Sequence, residues 1–269
     1  MTTAPQEADG SHGITDAKDT FRDCLFCLVE RNHYMKDTYQ IIKLKRKYKN
    51  EQVLVVPVNQ ASSISDGFCH EISKSAIRMF KTAHTFVYRY DAEYNYSFVQ
   101  LIPYVVVTNE TCDSLFVTQR IAGEERLISE LSLGCGGHVN PQDFSQDTML
   151  KAAMREMKEE LDIKLTKGTQ LQQYGTVRDY DSTTREHLGL VYLAMAAEVK
   201  VKEKDTLSGQ WMDMFALVAN YHKFESWARH IIDHLFVNHK KSGKLFDTVP
   251  LTGAKQHDRK RKKTFRKNC

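Results

Sequence analysis

The chain of 269 residues has no apolar run near the roughly 18 that a membrane-spanning helix needs, so no helical span is expected. Its first ten residues, Met-Thr-Thr-Ala-Pro-Gln-Glu-Ala-Asp-Gly, lack a basic start and an apolar core. No secretory signal is read there, and a cytoplasmic location is the expectation. Cysteine is sparse, six residues in all, and Cys69, Cys112 and Cys135 stand alone as ordinary reduced thiols would. Cys24 and Cys27 form a C-x-x-C with His33 nearby, but no second Cys or His pair follows at zinc-site spacing. Two free cysteines are therefore favoured over a zinc or redox site. There is no P-loop, no Rossmann glycine fingerprint, no HExxH and no internal repeat. Net charge is only +4, and 41% hydrophobic with 10% aromatic content is ordinary for a globular protein.

What the sequence does have is a cluster of acids. Arg155-Glu156-Met157-Lys158-Glu159-Glu160-Leu161 places three carboxylates within five residues. Like charges at i,i+4 cost free energy on a helix. Divalent cations reverse that cost, and Mg²⁺ or Mn²⁺ favours such hard oxygen ligands. At about 100° per residue, Leu150, Met154, Met157 and Leu161 share one stripe, the expected core face. Glu156, Glu159 and Glu160 share another. Asp147 and Thr148 stand where a helix start wants a side-chain acceptor. Upstream lies Gly134-Cys135-Gly136-Gly137-His138, a turn that lets backbone approach a ligand or metal closely.

This composite resembles the box of the Nudix hydrolases, G-x5-E-x7-R-E-U-x-E-E-x-G-U with U a bulky aliphatic residue. Arg155, Glu156, Met157, Glu159, Glu160 and Ile163 match in register. Asp147 stands seven intervening residues before Arg155, where the motif has Glu. Gly137 fits the opening Gly only if the loop carries four extra residues. Asp162 replaces the final Gly, so the helix is not expected to end in the usual left-handed glycine cap. The segments Leu101–Val107 and Glu186–Tyr192 are also similar to parts of a poorly characterised bacterial and phage group of that family, and the likeness extends over residues 50 to 238.

The resemblance implies an α/β (α+β) fold, an α/β/α sandwich with a mixed sheet and the motif helix on one side. It implies hydrolysis of a phosphoric anhydride by water attack, with a nucleoside diphosphate linked to another group as substrate and Mg²⁺ (or Mn²⁺) as cofactor. Carried over by position, Glu156, Glu159 and Glu160 are metal ligands, and Gly137 offers its carbonyl. Arg155 tethers the acids, and Asp147 orients Arg155. The general base is a box Glu, Glu159 among them, or a remote acid. Glu186 is the remote candidate, with Asp181 behind it. His138 and His187 are candidates to contact phosphate.

Residues 1–22 read as a polar disordered arm, 23–96 as an N-terminal extension packed on the core, 97–240 as the hydrolase domain and 241–269 as a basic, disordered tail. Strands are expected at 52–58, 97–108, 114–119, 127–133, 171–177 and 187–199, and helices at 72–82, 148–161 and 224–237. The tail, with Arg259-Lys-Arg-Lys-Lys263 at its centre, is either a weak, sequence-indifferent nucleic-acid contact or a solubilising end. Two other function classes compete with hydrolysis. One is a silent Nudix-fold module that binds a nucleotide or RNA. The other is an isomerase of prenyl diphosphates, for which Cys135 in the glycine-rich turn is the only hint.

Overall fold

The computed structural model describes residues 39, 41–122, 129–180, 186–242 and 244–246. The N-terminal arm, Cys24, Cys27, Asp181 and residues 247–269 lie outside them. The expectation of a disordered tail from 241 is corrected at its start: Lys241 and Ser242 end the last helix, and Leu245 and Phe246 are buried in the core, where their apolar side chains pack. The chain divides into two units at Asn50/Glu51. The first carries helix α1, residues 41–48, which places Lys43, Lys45, Arg46 and Lys47 among its residues.

The second unit is built on one mixed sheet of eleven strands among the described residues. Strand β1 is Gln52–Pro57, followed by the single turn α2 (Val58–Ala61) and the short β2 (Gly67–Cys69). Helix α3 (Lys74–Thr82) starts where the Ser73 hydroxyl accepts from the Ala76 N–H. Strand β3 (Thr85–Tyr88) leads into α4 (Arg89–Tyr94). Then come β4 (Phe98–Asn109), β5 (Ser114–Arg120), β6 (Leu131–Leu133) and β7 (Cys135–Gly136). Helix α5 (Thr148–Glu160) runs directly into β8 (Leu161–Leu165), and β9 (Gln172–Arg178), β10 (His187–Val201) and β11 (Leu207–Asp213) complete the sheet. Two helices close the chain, α6 (Met214–Ala219) and α7 (Ser226–Ser242).

Strand β4 is the axis of the sheet. It is buried along nearly its whole length, as a near-continuous run of β-branched and apolar residues requires of a strand covered on both faces. It runs parallel to β10 from Gln100/His187 to Asn109/Ala196. Its other edge has three successive neighbours: β1 at Phe98–Gln100, β7 at Tyr104–Val105 and β5 at Thr108. Pro103 falls between the first two pairings, where no ladder partner is lost for want of an N–H. On the N-terminal side of Thr108 the strands β4 and β5 part, and the chain from β6 through Gly134 to β7 crosses the gap. Gly134 takes φ +87°, and a Cβ there would fall on the Val105 carbonyl, so only glycine makes this crossing.

The alternation of β4 divides the core. Leu101, Val105 and Val107 face one cluster with Ala152, Ala153 and Met157 of α5 and Met79 and Phe80 of α3. Ile102, Tyr104 and Val106 face a second cluster with Trp227, Ile231 and Leu235 of α7 and Leu217 of α6. The result is helix, mixed sheet, helix, the sandwich expected from the sequence. Residues 51–95 are part of this sheet unit, since β1 pairs with both β3 and β4.

Candidate active site

Helix α5 carries the acid cluster. Its start is capped by Asp147, whose Oδ1 accepts from the Leu150 N–H at 3.2 Å. Its end has no glycine: Leu161 is extended at φ −128° and enters β8 at once, in keeping with Asp162 in place of the motif Gly. The buried stripe is Met149, Ala152, Ala153 and Met157, spaced i, i+3, i+4, i+8. The expected stripe through Met154 is overturned, since Met154 is 45% exposed. The two alanines let the helix lie close to β4, which carries Glu156 inward with them; it is buried, beside Gly137.

Arg155 organises the acids. Its Nε and Nη2 donate to the Asp143 carboxylate at 3.0 and 2.9 Å. Its Nη1 donates to Glu156 Oε1 and Glu159 Oε2, each at 2.8 Å, and Nη2 also reaches the His138 carbonyl at 2.8 Å. The residue that orients Arg155 is thus Asp143, not Asp147 as the motif spacing suggested. The reason is countable: five residues separate Gly137 from Asp143, as in G-x5-E, so the four extra residues lie after the acid. Asp143 also accepts from the Asn140 N–H at 2.9 Å and is almost wholly buried. The signal is present in the sequence as the Gly137-x5-Asp143 spacing, on the near side of the insertion.

A cavity of about 420 Å³ opens where β4 and β5 part. Glu156, Glu160, Gly137, Arg120 and Arg155 line one side of it. Arg120 Nη2 stands 3.5 Å from Glu160 Oε1. Burial pushes both Glu156 and Glu160 up to about 7, against the opposing pull of Arg155 on the first and Arg120 on the second. A Cβ on Gly137 would collide with the Glu156 carboxylate, so this backbone is held against the acid by the absence of a side chain. A buried and a partly buried carboxylate beside a backbone that carries no side chain form a hard-oxygen donor set, which fits a divalent cation such as Mg²⁺. Glu159 is different. Its side chain is half exposed and is not among the cavity-lining residues.

The opposite wall was not foreseen. Ile102, Tyr104 and Trp227 line it, with Glu225 between them. Glu225 caps α7 by accepting from the Trp227 and Ala228 N–H groups at 2.9 and 3.2 Å, and from the Tyr104 hydroxyl at 2.7 Å. Burial lifts it to about 7. Nothing local marks it as a site residue, because its partner Tyr104 is 121 positions away.

His138 and His187 are brought together on the cavity wall, Nε2 to Nε2 at 3.3 Å. Glu186 lies beside His187, Oε1 to Nδ1 at 3.5 Å, and is not among the residues lining the cavity. Cys135 is buried, and burial holds its thiol well above the ordinary range, so no thiolate is available there.

A NUDIX domain model matches residues 100–235 of this chain. The chain belongs to the Nudix family. It is a Nudix-type pyrophosphohydrolase, acting on acid anhydrides. Protein YmaB of Bacillus subtilis (strain 168) is 32% identical over 204 residues, spanning 69% of this chain and 98% of YmaB. The crystal structure of Tm1382, a candidate Nudix hydrolase, superposes with a TM-score of 0.60 at 27% identity, covering 70% of this chain and 100% of Tm1382.

Proposed function

We propose that this Nudix protein hydrolyses a nucleoside diphosphate linked to another group, and that it does so with Mg²⁺ or Mn²⁺ held by the box acids. The observation that carries this reading is the pairing of Glu156 and Glu160 with the Gly137 backbone on one wall of a cavity large enough for a small ligand. Glu156 and Glu160 offer oxygen ligands from inside the cavity, and Gly137 can add its carbonyl. A bound dication supplies the Lewis acidity that polarises the phosphoryl group and lowers the pKa of the attacking water. Arg155, fixed by Asp143, keeps Glu156 and Glu159 in register and acts as a positioning residue. Glu159, half exposed and held by the same arginine, is the favoured base among the box acids. Glu186 faces His187, which supports an orienting role over the remote-base role its loop position first suggested. Tyr104 and Trp227, packed edge to face at 75°, give the cavity an aromatic lining that suits the base or other flat group of the substrate.

The protonated, buried Cys135 argues against the prenyl diphosphate isomerase reading. Incubation of the purified chain with a panel of diphosphate-linked nucleosides and Mg²⁺, with products resolved by mass, tests the proposal. Release of nucleoside monophosphate is expected. Tight binding without turnover would make the protein a silent binding module instead.

A further inference from the structure

We infer that Glu93, His138 and His187 form a second metal site, for a dication of the zinc class, separate from the carboxylate site on α5. The three come from three distant segments: the helix α4, the glycine-rich turn and the first residue of β10. Their candidate ligand atoms all lie within 4.8 Å of one another. His187 is buried and the other two are partly buried.

The spacing of the two imidazoles carries the argument. A Zn–N bond is about 2.0–2.1 Å, so two nitrogens on one tetrahedral ion stand roughly 3.3–3.4 Å apart. His138 Nε2 and His187 Nε2 are 3.3 Å apart. That separation is within hydrogen-bond reach and also equals the edge of a tetrahedron around such a metal. The rings meet edge to face at 66° and do not stack, which leaves both Nε2 atoms side by side at the cavity wall. Completing the site asks the Glu93 carboxylate to close by at most about 1.5 Å, a side-chain adjustment. Arg89 Nε also contacts Glu93 Oε1, at 3.3 Å. A carboxylate has two oxygens and four lone-pair directions, so it can serve both an arginine and a metal.

The surroundings match those of a histidine-bound metal. Glu186 Oε1 stands 3.5 Å from His187 Nδ1, outside hydrogen-bond geometry but close enough that a small side-chain rotation would put a carboxylate behind the non-ligating nitrogen, the usual way a metal-bound imidazole is oriented. The neighbouring acids on α5 offer only oxygen, which suits Mg²⁺. Two imidazoles and one carboxylate favour Zn²⁺, Co²⁺ or Ni²⁺ over Mg²⁺. Three protein ligands leave a fourth position, and His138 and His187 both line the cavity. A phosphoryl oxygen of a ligand in the cavity is the group placed to take it.

The site is tested on tag-free, chelator-stripped full-length protein by titration with Zn²⁺ in excess Mg²⁺, which keeps the hard-oxygen site filled. One tightly bound zinc is expected, with nitrogen ligands visible by X-ray absorption of the zinc-loaded wild type. That spectroscopic arm needs no variant and does not depend on activity. His138→Ala and His187→Ala should each weaken zinc by more than the roughly 10- to 100-fold that loss of an outer partner costs. Glu160→Gln should leave zinc affinity unchanged. Absence of zinc uptake in excess Mg²⁺, an all-oxygen spectrum, or full zinc affinity in a folded His138→Ala protein would each overturn the inference. Because the readout is binding, it stands or falls independently of whether any diphosphate is hydrolysed.

Discussion

Asp143 and Asp147 are both acids near the start of α5, yet they do different work. Asp147 caps a helix, and Asp143 holds the arginine that holds two glutamates. Asp147→Ala is expected to cost about 1 kcal/mol of stability, the usual value of an N-cap, with little effect on turnover. Asp143→Asn removes a buried charged partner and should cost on the order of 2 kcal/mol or more, since hydrogen bonds to charged groups exceed neutral ones. It should also lower kcat, because Glu156 and Glu159 lose their shared anchor. Denaturant unfolding and kinetics on both variants check the pair. Equal effects of the two would refute the assignment. Gly137→Ala should leave the fold near normal and weaken Mg²⁺ binding, because the added methyl occupies the place of the Glu156 carboxylate. Calorimetric Mg²⁺ titration reads that directly. At this scale the sequence was legible for the right half of the motif, where spacing is rigid along one helix. It was not legible for Asp143, because an insertion can sit on either side of an acid without changing the composition of the loop.

At the scale of the element, α5 was placed correctly in the chain but rotated in expectation. Large apolar residues suggested the stripe through Leu150, Met154 and Met157. The packed face instead runs through Met149, Ala152, Ala153 and Met157, since small residues give the closest approach to β4. Met157→Asp buries an unpaired charge and should cost on the order of 3 kcal/mol or more. Met154→Asp, at a position 45% exposed, should be nearly neutral. Thermal unfolding of the two variants distinguishes the stripes, and reversed effects would restore the first one. Strand β11 escaped the sequence reading for a related reason. Only Leu207 and Met212 are buried along it, so it shows no clean alternation. The short β8 was hidden behind the helix, which passes into it without a breaking residue.

For the whole molecule, topology decides what no local pattern contains. The parallel pairing of β4 with β10 sets His187 near His138, and the parting of β4 from β5 opens the cavity between them. The layered sandwich was legible from mixed strands and helices; the far wall of the cavity, Tyr104 with Glu225, was not. Burial holds Glu156, Glu160 and Glu225 at about 7, above the usual carboxylate value of 4.5. Between those values the folded, metal-free protein keeps protons that the unfolded chain has released. Rising pH therefore destabilises the fold through this window, and the effect is complete above about 7. The metal-free protein should unfold at lower temperature at pH 8 than at pH 6. Added Mg²⁺ should raise stability more at pH 8, because its ligands must be deprotonated to bind. A metal-free stability that rises from pH 6 to pH 8 would contradict this.

The central claim is that the acids of α5, through a divalent cation, hydrolyse a phosphoric anhydride. Steady-state turnover of a diphosphate-linked nucleoside, with Mg²⁺ and with excess chelator, for wild type and Glu160→Gln tests it most directly. The account predicts turnover in Mg²⁺, its loss in chelator, and a kcat lower by on the order of 100-fold or more in Glu160→Gln, whose stability at pH 8 is unchanged or higher. Undiminished turnover in chelator, or a wild-type rate from Glu160→Gln, would contradict it.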